Sequence, residues 1–207
     1  TKILLTLWPA NRKVNIGFHG HSVPAGYFAT PMGDSFEAYP HLLHRELKHR
    51  FPFAVLNAIV EAIGGENSER GSARFEAEVL CHRPDVLTLD YGLNDRGLGL
   101  AKARANWVSM IEKALAKGVK IILLTPTADV TQAREAAAKE RRPLQQHAEQ
   151  IRKLADEYGL GLADSLAAFE KFGKTDDLRT LLSWSNHPNR RGHDLVVHEL
   201  LKWFPAT

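Results

Sequence analysis

Short apolar bursts alternate along the chain with longer stretches in which apolar residues recur every third or fourth position. Val14 to Phe18 predicts a strand that runs into a Gly/His/Ser loop, and Ala54 to Ile59 predicts a second buried strand. Val86 to Tyr91 predicts a third, Lys120 to Thr125 a fourth, and Leu160 to Ala163 a short fifth. Between them, Phe36 to Arg50 reads as a helix with Leu42, Leu43, Leu47 and Phe51 on one side. Pro40 suits its first turn, where a missing N–H costs little. Glu69 to Leu80 is helical in composition, with Phe75 and Val79 on one face. Leu100, Ala103, Trp107, Ile111, Ala114 and Leu115 mark one side of a long helix that Gly118 stops. Residues 126–142 form a charged connection that can be partly helical, Pro143 is expected to open a helix ending near Tyr158-Gly159, and a last helix follows Pro188. That helix turns Leu195, Val196, Leu200 and Phe204 to the core.

Strands alternating with helices predict a parallel sheet covered on both faces. No repeat, low-complexity tract or linker interrupts the 207 residues, so one domain over 1–207 is expected. Ligands of such sheets bind beyond the carboxyl ends of the strands. The chemistry is therefore sought in residues 19–27, 60–68, 92–97 and 125–132, and in the loop before the last helix.

Composition narrows the classes. Hydrophobic residues make up 44% and charged residues 25%, which excludes a disordered chain. One cysteine, Cys81, excludes an internal disulfide framework and suits the cytosol. Its place after Val79-Leu80 reads as an inert core thiol. The 27 Lys and Arg exceed the 24 Asp and Glu by only three, and acids are interleaved with the densest basic pairs, Arg141-Arg142 and Arg190-Arg191. A solvated surface, with no nucleic-acid partner, is the reading. No apolar run reaches the ~18–20 residues of a membrane span. The opening Thr1 to Trp8 is too short for a full signal peptide.

The strand ends carry an unusual set of groups. After the first comes Gly20-His21-Ser22-Val23-Pro24-Ala25-Gly26-Tyr27, and after the second Ile63-Gly64-Gly65-Glu66-Asn67-Ser68. After the third comes Tyr91-Gly92-Leu93-Asn94-Asp95-Arg96, and before the last helix Ser185-Asn186-His187-Pro188-Asn189. Ser22 offers a hydroxyl at a strand-to-helix turn, and His187 a base that titrates near neutrality. Gly65 can bring a backbone N–H close to a ligand, and Asn94 adds an amide that donates without competing as a base. Taken singly, each has a plainer reading as a turn, cap or helix start, Asn189 included. Together, at successive strand ends, they assemble a nucleophile, a base and oxyanion donors.

These residues resemble the SGNH (GDSL-type) hydrolase family. Gly20-His21-Ser22-Val23 with Ala25-Gly26-Tyr27 matches its first block and places the nucleophile on Ser22. Gly65-Glu66-Asn67-Ser68 matches the second and places an oxyanion donor on Gly65. Gly92-Leu93-Asn94-Asp95 matches the third and places the other donor on Asn94, and His187-Pro188-Asn189 matches the fifth. The resemblance implies a flavodoxin-like three-layer α/β/α sandwich on a five-stranded parallel sheet. It further implies a serine esterase that needs no cofactor or metal and acts on a small-molecule or carbohydrate ester. The short chain favours a small acyl group, such as an O-acetyl ester on a carbohydrate.

Two positions depart from the family pattern. His21 stands where an Asp usually precedes the nucleophile, and Trp184 where the triad Asp usually lies three residues before the histidine. Three resolutions are open: a backbone carbonyl within Leu182–Ser185 orients His187, Asp176 or Asp177 reaches in, or the site is crippled and the protein binds without turnover. Trp184 could wall the ester pocket or pack beneath its loop, and Tyr27 and Phe28 likewise. Phe75, Trp107 and Trp203 read as core. Residues 126–142 are the candidate lid. A metal reading rests on ten histidines, with His19 close to His21 and His41 close to His44. Against it, the sequence offers no Cys partner and no helical His-Glu-x-x-His.

Overall fold

The computed structural model describes residues 2–29, 32–133 and 138–206. Five parallel strands form the main sheet: β1 (Lys13–Gly20), β4 (Val55–Ala62), β5 (Val86–Asp90), β6 (Lys120–Leu124) and β7 (Gly161–Ala163). Two very short strands, β2 (Tyr27–Ala29) and β3 (Met32–Gly33), pair antiparallel outside it. The α-helices among the described residues are α1 (Ser22–Ala25), α2 (Tyr39–Arg50), α3 (Ser68–Arg74), α4 (Leu100–Ala116), α5 (Val130–Ala133), α6 (Ala138–Glu157), α7 (Ser165–Phe172) and α8 (Arg190–Leu201).

The sheet order is β4-β1-β5-β6-β7. This is the flavodoxin-like order, and the fold is a three-layer α/β/α sandwich. Its strands are apolar because both faces are covered. Phe18 and Ile16 meet Leu42, Leu43 and Leu47 of α2, with Val196 and Leu200 of α8, in one core. Leu87, Leu89 and Leu123 meet Trp107, Met110 and Ile111 of α4 and Ile151 and Leu154 of α6 in the other. The order reverses between β1 and β5. Connections leave those neighbours in opposite directions, which opens a crevice at their carboxyl ends. Gly20 pairs with both Ala62 and Asp90, so three strands end at one level around that crevice.

Several expectations need correction. Pro143 lies inside α6, which begins at Ala138. The residues before it, including Glu140, Arg141 and Arg142, are strong helix formers and carry the helix upstream of the proline. The segment from Glu69 is regular only to Arg74; it widens over Phe75–Val79 and tightens over Leu80–His82. That change of pitch buries Phe75 and Val79 but turns Cys81 out to solvent, so this thiol is not a core residue. Trp203 is half-exposed, because it follows the end of α8 and lies over the sheet edge, donating Nε1–H to the Leu162 carbonyl. Leu100 and Leu115, at the two ends of α4, are also exposed, and Leu195 is only partly buried. Helix α7 has no counterpart among the expected elements; Asp164 caps it by accepting from Ala167 N–H. No helix among the described residues is long and apolar enough to cross a membrane.

Candidate active site

Ser22 opens α1, two residues beyond the end of β1, and His187 lies in the loop that leads into α8. The Ser22 hydroxyl and His187 Nε2 are 2.9 Å apart. Both residues are buried. The other ring nitrogen of His187, Nδ1, lies 3.1 Å from the Phe28 carbonyl. A carbonyl can only accept, so the proton sits on Nδ1 and the bare Nε2 faces the serine. Burial holds His187 below the ordinary histidine range, against the opposing pull of the Phe28 carbonyl.

The tether therefore is a backbone carbonyl, but not one from Leu182–Ser185. It comes from β2, across the crevice. The same Phe28 carbonyl also accepts from the Ser183 hydroxyl at 2.9 Å. Ser183 N–H donates to His187 O, and Leu182 bridges Pro188, so the histidine loop is closed on itself. Gly26 makes this geometry available. Its φ of +89° turns the chain back from α1 into β2, and a Cβ there would lie 2.6 Å from Ser35 Cα. Asp177 is exposed and engaged by Arg179, and Asp176 accepts from the Thr175 hydroxyl; neither touches His187. Trp184 is 56% exposed.

The second strand end is held against the first and third. Ile63 N–H donates to Gly20 O at 3.1 Å, and Asn94 Nδ2 donates to Glu66 O at 2.8 Å. Ser68 N–H donates to Asp95, whose other oxygen accepts from Trp107 Nε1 of α4 at 2.7 Å. Burial raises the Asp95 carboxyl, against the pull of these donors. Gly65 takes φ +74°, a conformation that glycine enters without strain. Its N–H is not taken up by any hydrogen bond among the described residues. The Asn94 amide spends one N–H on Glu66 and keeps a second. Tyr27, half-buried, stands between Gly64 and the His187 ring, with 6.3 Å between ring centres.

Beneath the 63–68 loop lies a polar cluster that the sequence reading passed over. Glu66 accepts from Arg74 Nε at 2.9 Å and from the Tyr91 hydroxyl at 2.8 Å. Burial would raise this carboxyl, but those donors hold it below its usual range. His19 packs against Tyr91, with its ring nitrogens 2.9 Å from Glu61 O and 3.2 Å from Gly71 O. Burial lowers His19 to about 4. The histidine pairs named for a metal thus have other partners. His44 faces Leu56 O, His41 packs on the Phe36 ring, and His21 turns to Asp90. No metal-type cluster of His, Cys, Asp and Glu occurs among the described residues.

The candidate lid is pinned at its start. Thr127, Ala128 and Asp129 are buried, Arg96 pairs with Asp129 at 2.7 Å, and Val130 N–H donates to Ser185 O at 2.8 Å. Residues 134–137 of that segment lie outside the described residues.

Residues 18–195 match the model of the GDSL-like lipase/acylhydrolase family. The chain is 33% identical over 94 residues to esterase TesA of Pseudomonas aeruginosa, a stretch covering 44% of this chain and 45% of that one. It is 25% identical over 167 residues to an acetylxylan esterase of Geobacillus stearothermophilus, covering 73% and 74%. A crystal structure of an acetylxylan esterase from that organism superposes with a TM-score of 0.78 at 23% identity, covering 91% of this chain and 93% of that one.

Proposed function

Because this chain belongs to the GDSL-like lipase/acylhydrolase family, we propose that it is a serine esterase that cleaves a short-acyl ester through a Ser22 acyl-enzyme. The observation that carries this reading is the 2.9 Å approach of the Ser22 hydroxyl to a His187 whose Nδ1–H is committed to Phe28 O. In the first step Ser22 Oγ attacks the ester carbonyl carbon and its proton passes to His187 Nε2. The carbonyl electrons move onto oxygen, where the N–H groups of Gly65 and Ser22 and the Asn94 amide receive the charge. His187 then returns its proton to the departing alcohol, and a water activated by the same nitrogen releases the acid. The carbohydrate O-acetyl ester is the preferred substrate class. Its support is the acetylxylan esterase among its relatives.

The test is hydrolysis of p-nitrophenyl acetate and of an acetylated xylo-oligosaccharide by wild type and Ser22→Ala across pH 5 to 9. The substitution is expected to remove at least ~10⁴-fold of kcat. The acidic limb of kcat/KM should fall below pH 6.5, because burial holds His187 low and the base must be neutral. Equal rates in both proteins would dismiss Ser22. Failure of both proteins on both esters would favour a binding protein built on this fold.

A further inference from the structure

His21 occupies the position before the serine, and the mechanism above leaves it idle. It is fully buried, and its Nδ1 accepts from Val23 N–H at 3.2 Å, capping α1. A nitrogen that accepts carries no proton, so the ring proton sits on Nε2. Nε2 lies 3.4 Å from Asp90 Oδ1 and meets no other acceptor among the described residues. Asp90 is itself 3% exposed, and its second oxygen accepts from the Tyr39 hydroxyl at 3.2 Å. No Lys or Arg pairs with it among the described residues; the one ion-pair contact is His21. On the other side, His21 Nδ1 lies 3.5 Å from Ser22 Oγ. The side chains thus stand in the order Asp90, His21, Ser22, His187; the serine proton faces His187 Nε2 at 2.9 Å, so His21 meets Ser22 as a close contact and not as a hydrogen bond.

A buried carboxylate without a cation is costly, and an apolar residue would fill the same space with no such cost. The cost is offset where a positive charge forms nearby, and one forms on His187 whenever it takes the serine proton. We infer that Asp90, acting across the His21 ring, is the counter-charge for the His187 imidazolium, placed behind the serine instead of behind the histidine. This rests on the serine-esterase reading. It also accounts for His21. An Asp at this position would bring a second carboxylate towards Asp90, whereas the imidazole accepts from Val23 N–H and turns its Nε2 towards Asp90 at 3.4 Å.

Asp90 and His21 are positioning residues. The other groups around them are already engaged. Tyr39 of α2 donates to Asp90, and Tyr27 of β2 stacks beside His187. His193 of α8 is held neutral by burial and accepts from Tyr39 N–H, and Arg190 is paired with Glu37 and Asp194.

The experiment compares Asp90→Asn, Asp90→Glu, Tyr39→Phe and His21→Gln with wild type. It reads the NMR titration of the His187 ring, which needs no turnover, alongside kcat and KM. Asp90→Asn should lower the His187 midpoint by about 0.5–1 pH unit, since losing a nearby negative charge disfavours the imidazolium. It should lower kcat about tenfold or more with KM little changed. Asp90→Glu should restore the midpoint, and Tyr39→Phe should leave it in place. His21→Gln keeps the Asp90 charge but removes the ring that stands between it and Ser22, so kcat should fall about tenfold without a drop in the midpoint, since His21 itself only lowers His187. A wild-type midpoint in Asp90→Asn overturns the inference, as does a moved midpoint with wild-type kcat. If Asp90→Asn does not fold, wild-type kcat in His21→Gln overturns it. Failure of the esterase reading shows separately, as equal turnover in wild type and Ser22→Ala.

Discussion

Two buried polar clusters flank the end of β1, and they are finished to different degrees. Around His19, a cation meets an anion. Arg74 engages Glu66 and Glu61 O, and Tyr91 adds its hydroxyl to the same carboxylate. Around His21, the Asp90 carboxylate meets, among the described residues, only a phenol and a long imidazole contact, and His21 Nε2 lacks a well-aligned partner there. Well-bonded polar networks rigidify what they hold, and the Glu66–Arg74–Tyr91 group carries the Gly65 loop. The second keeps charge in reserve beside the Ser22–His187 pair. The contrast teaches that paired charge marks scaffold here, and a carboxylate without a cation marks the place where charge is to change.

The contrast can be broken from the scaffold side first. Glu66→Gln removes the most buried partner of Arg74 but leaves it Glu61 and Glu78, and is expected to cost about 1–3 kcal/mol of stability, read as a denaturant midpoint. A loss below ~1 kcal/mol would mean the first cluster is not structural. Next, Asn94→Ala removes an oxyanion donor and also frees Glu66 O. It should lower kcat about 10²-fold while KM changes little. A loss confined to KM would assign Asn94 to ground-state binding.

The smallest effect sharpens the comparison through pH. Burial holds His193 neutral down to about 3 and His19 to about 4, both below the unfolded value of 6.5. Between those limits the unfolded chain binds more protons, so stability is complete above about pH 6.5 and declines as pH falls through the window. Between pH 7.5 and 6 the two groups together should cost about 1–2 kcal/mol. Equal denaturant midpoints at the two pH values would mean that neither imidazole is held neutral.

The main sheet was legible because each strand is an apolar run at the level of one crevice, as in Val86 to Asp90. Ser22, Gly65, Asn94 and His187 could be singled out as candidates because chemistry restricts which residue types can serve such roles, and the structure brings Ser22 and His187 within 2.9 Å. The β2–β3 hairpin was not, since strands of three and two residues are too short to show a period. Helix α7 was missed for a related reason: Ser165 to Phe172 spans about two turns with little polar relief. Asp90 was hidden in plain view at the end of an apolar strand. Only the register that sets it beside Gly20 reveals what it faces.

The Phe28 carbonyl has a consequence for how this site can vary over time. Its oxygen belongs to the main chain, so any residue type at that position presents the same acceptor. An alanine scan would pass over it, and lineages could drift freely there while keeping the tether. What natural selection must preserve instead is the course of the chain from Gly26 to Ala29, a trait written in no single side chain.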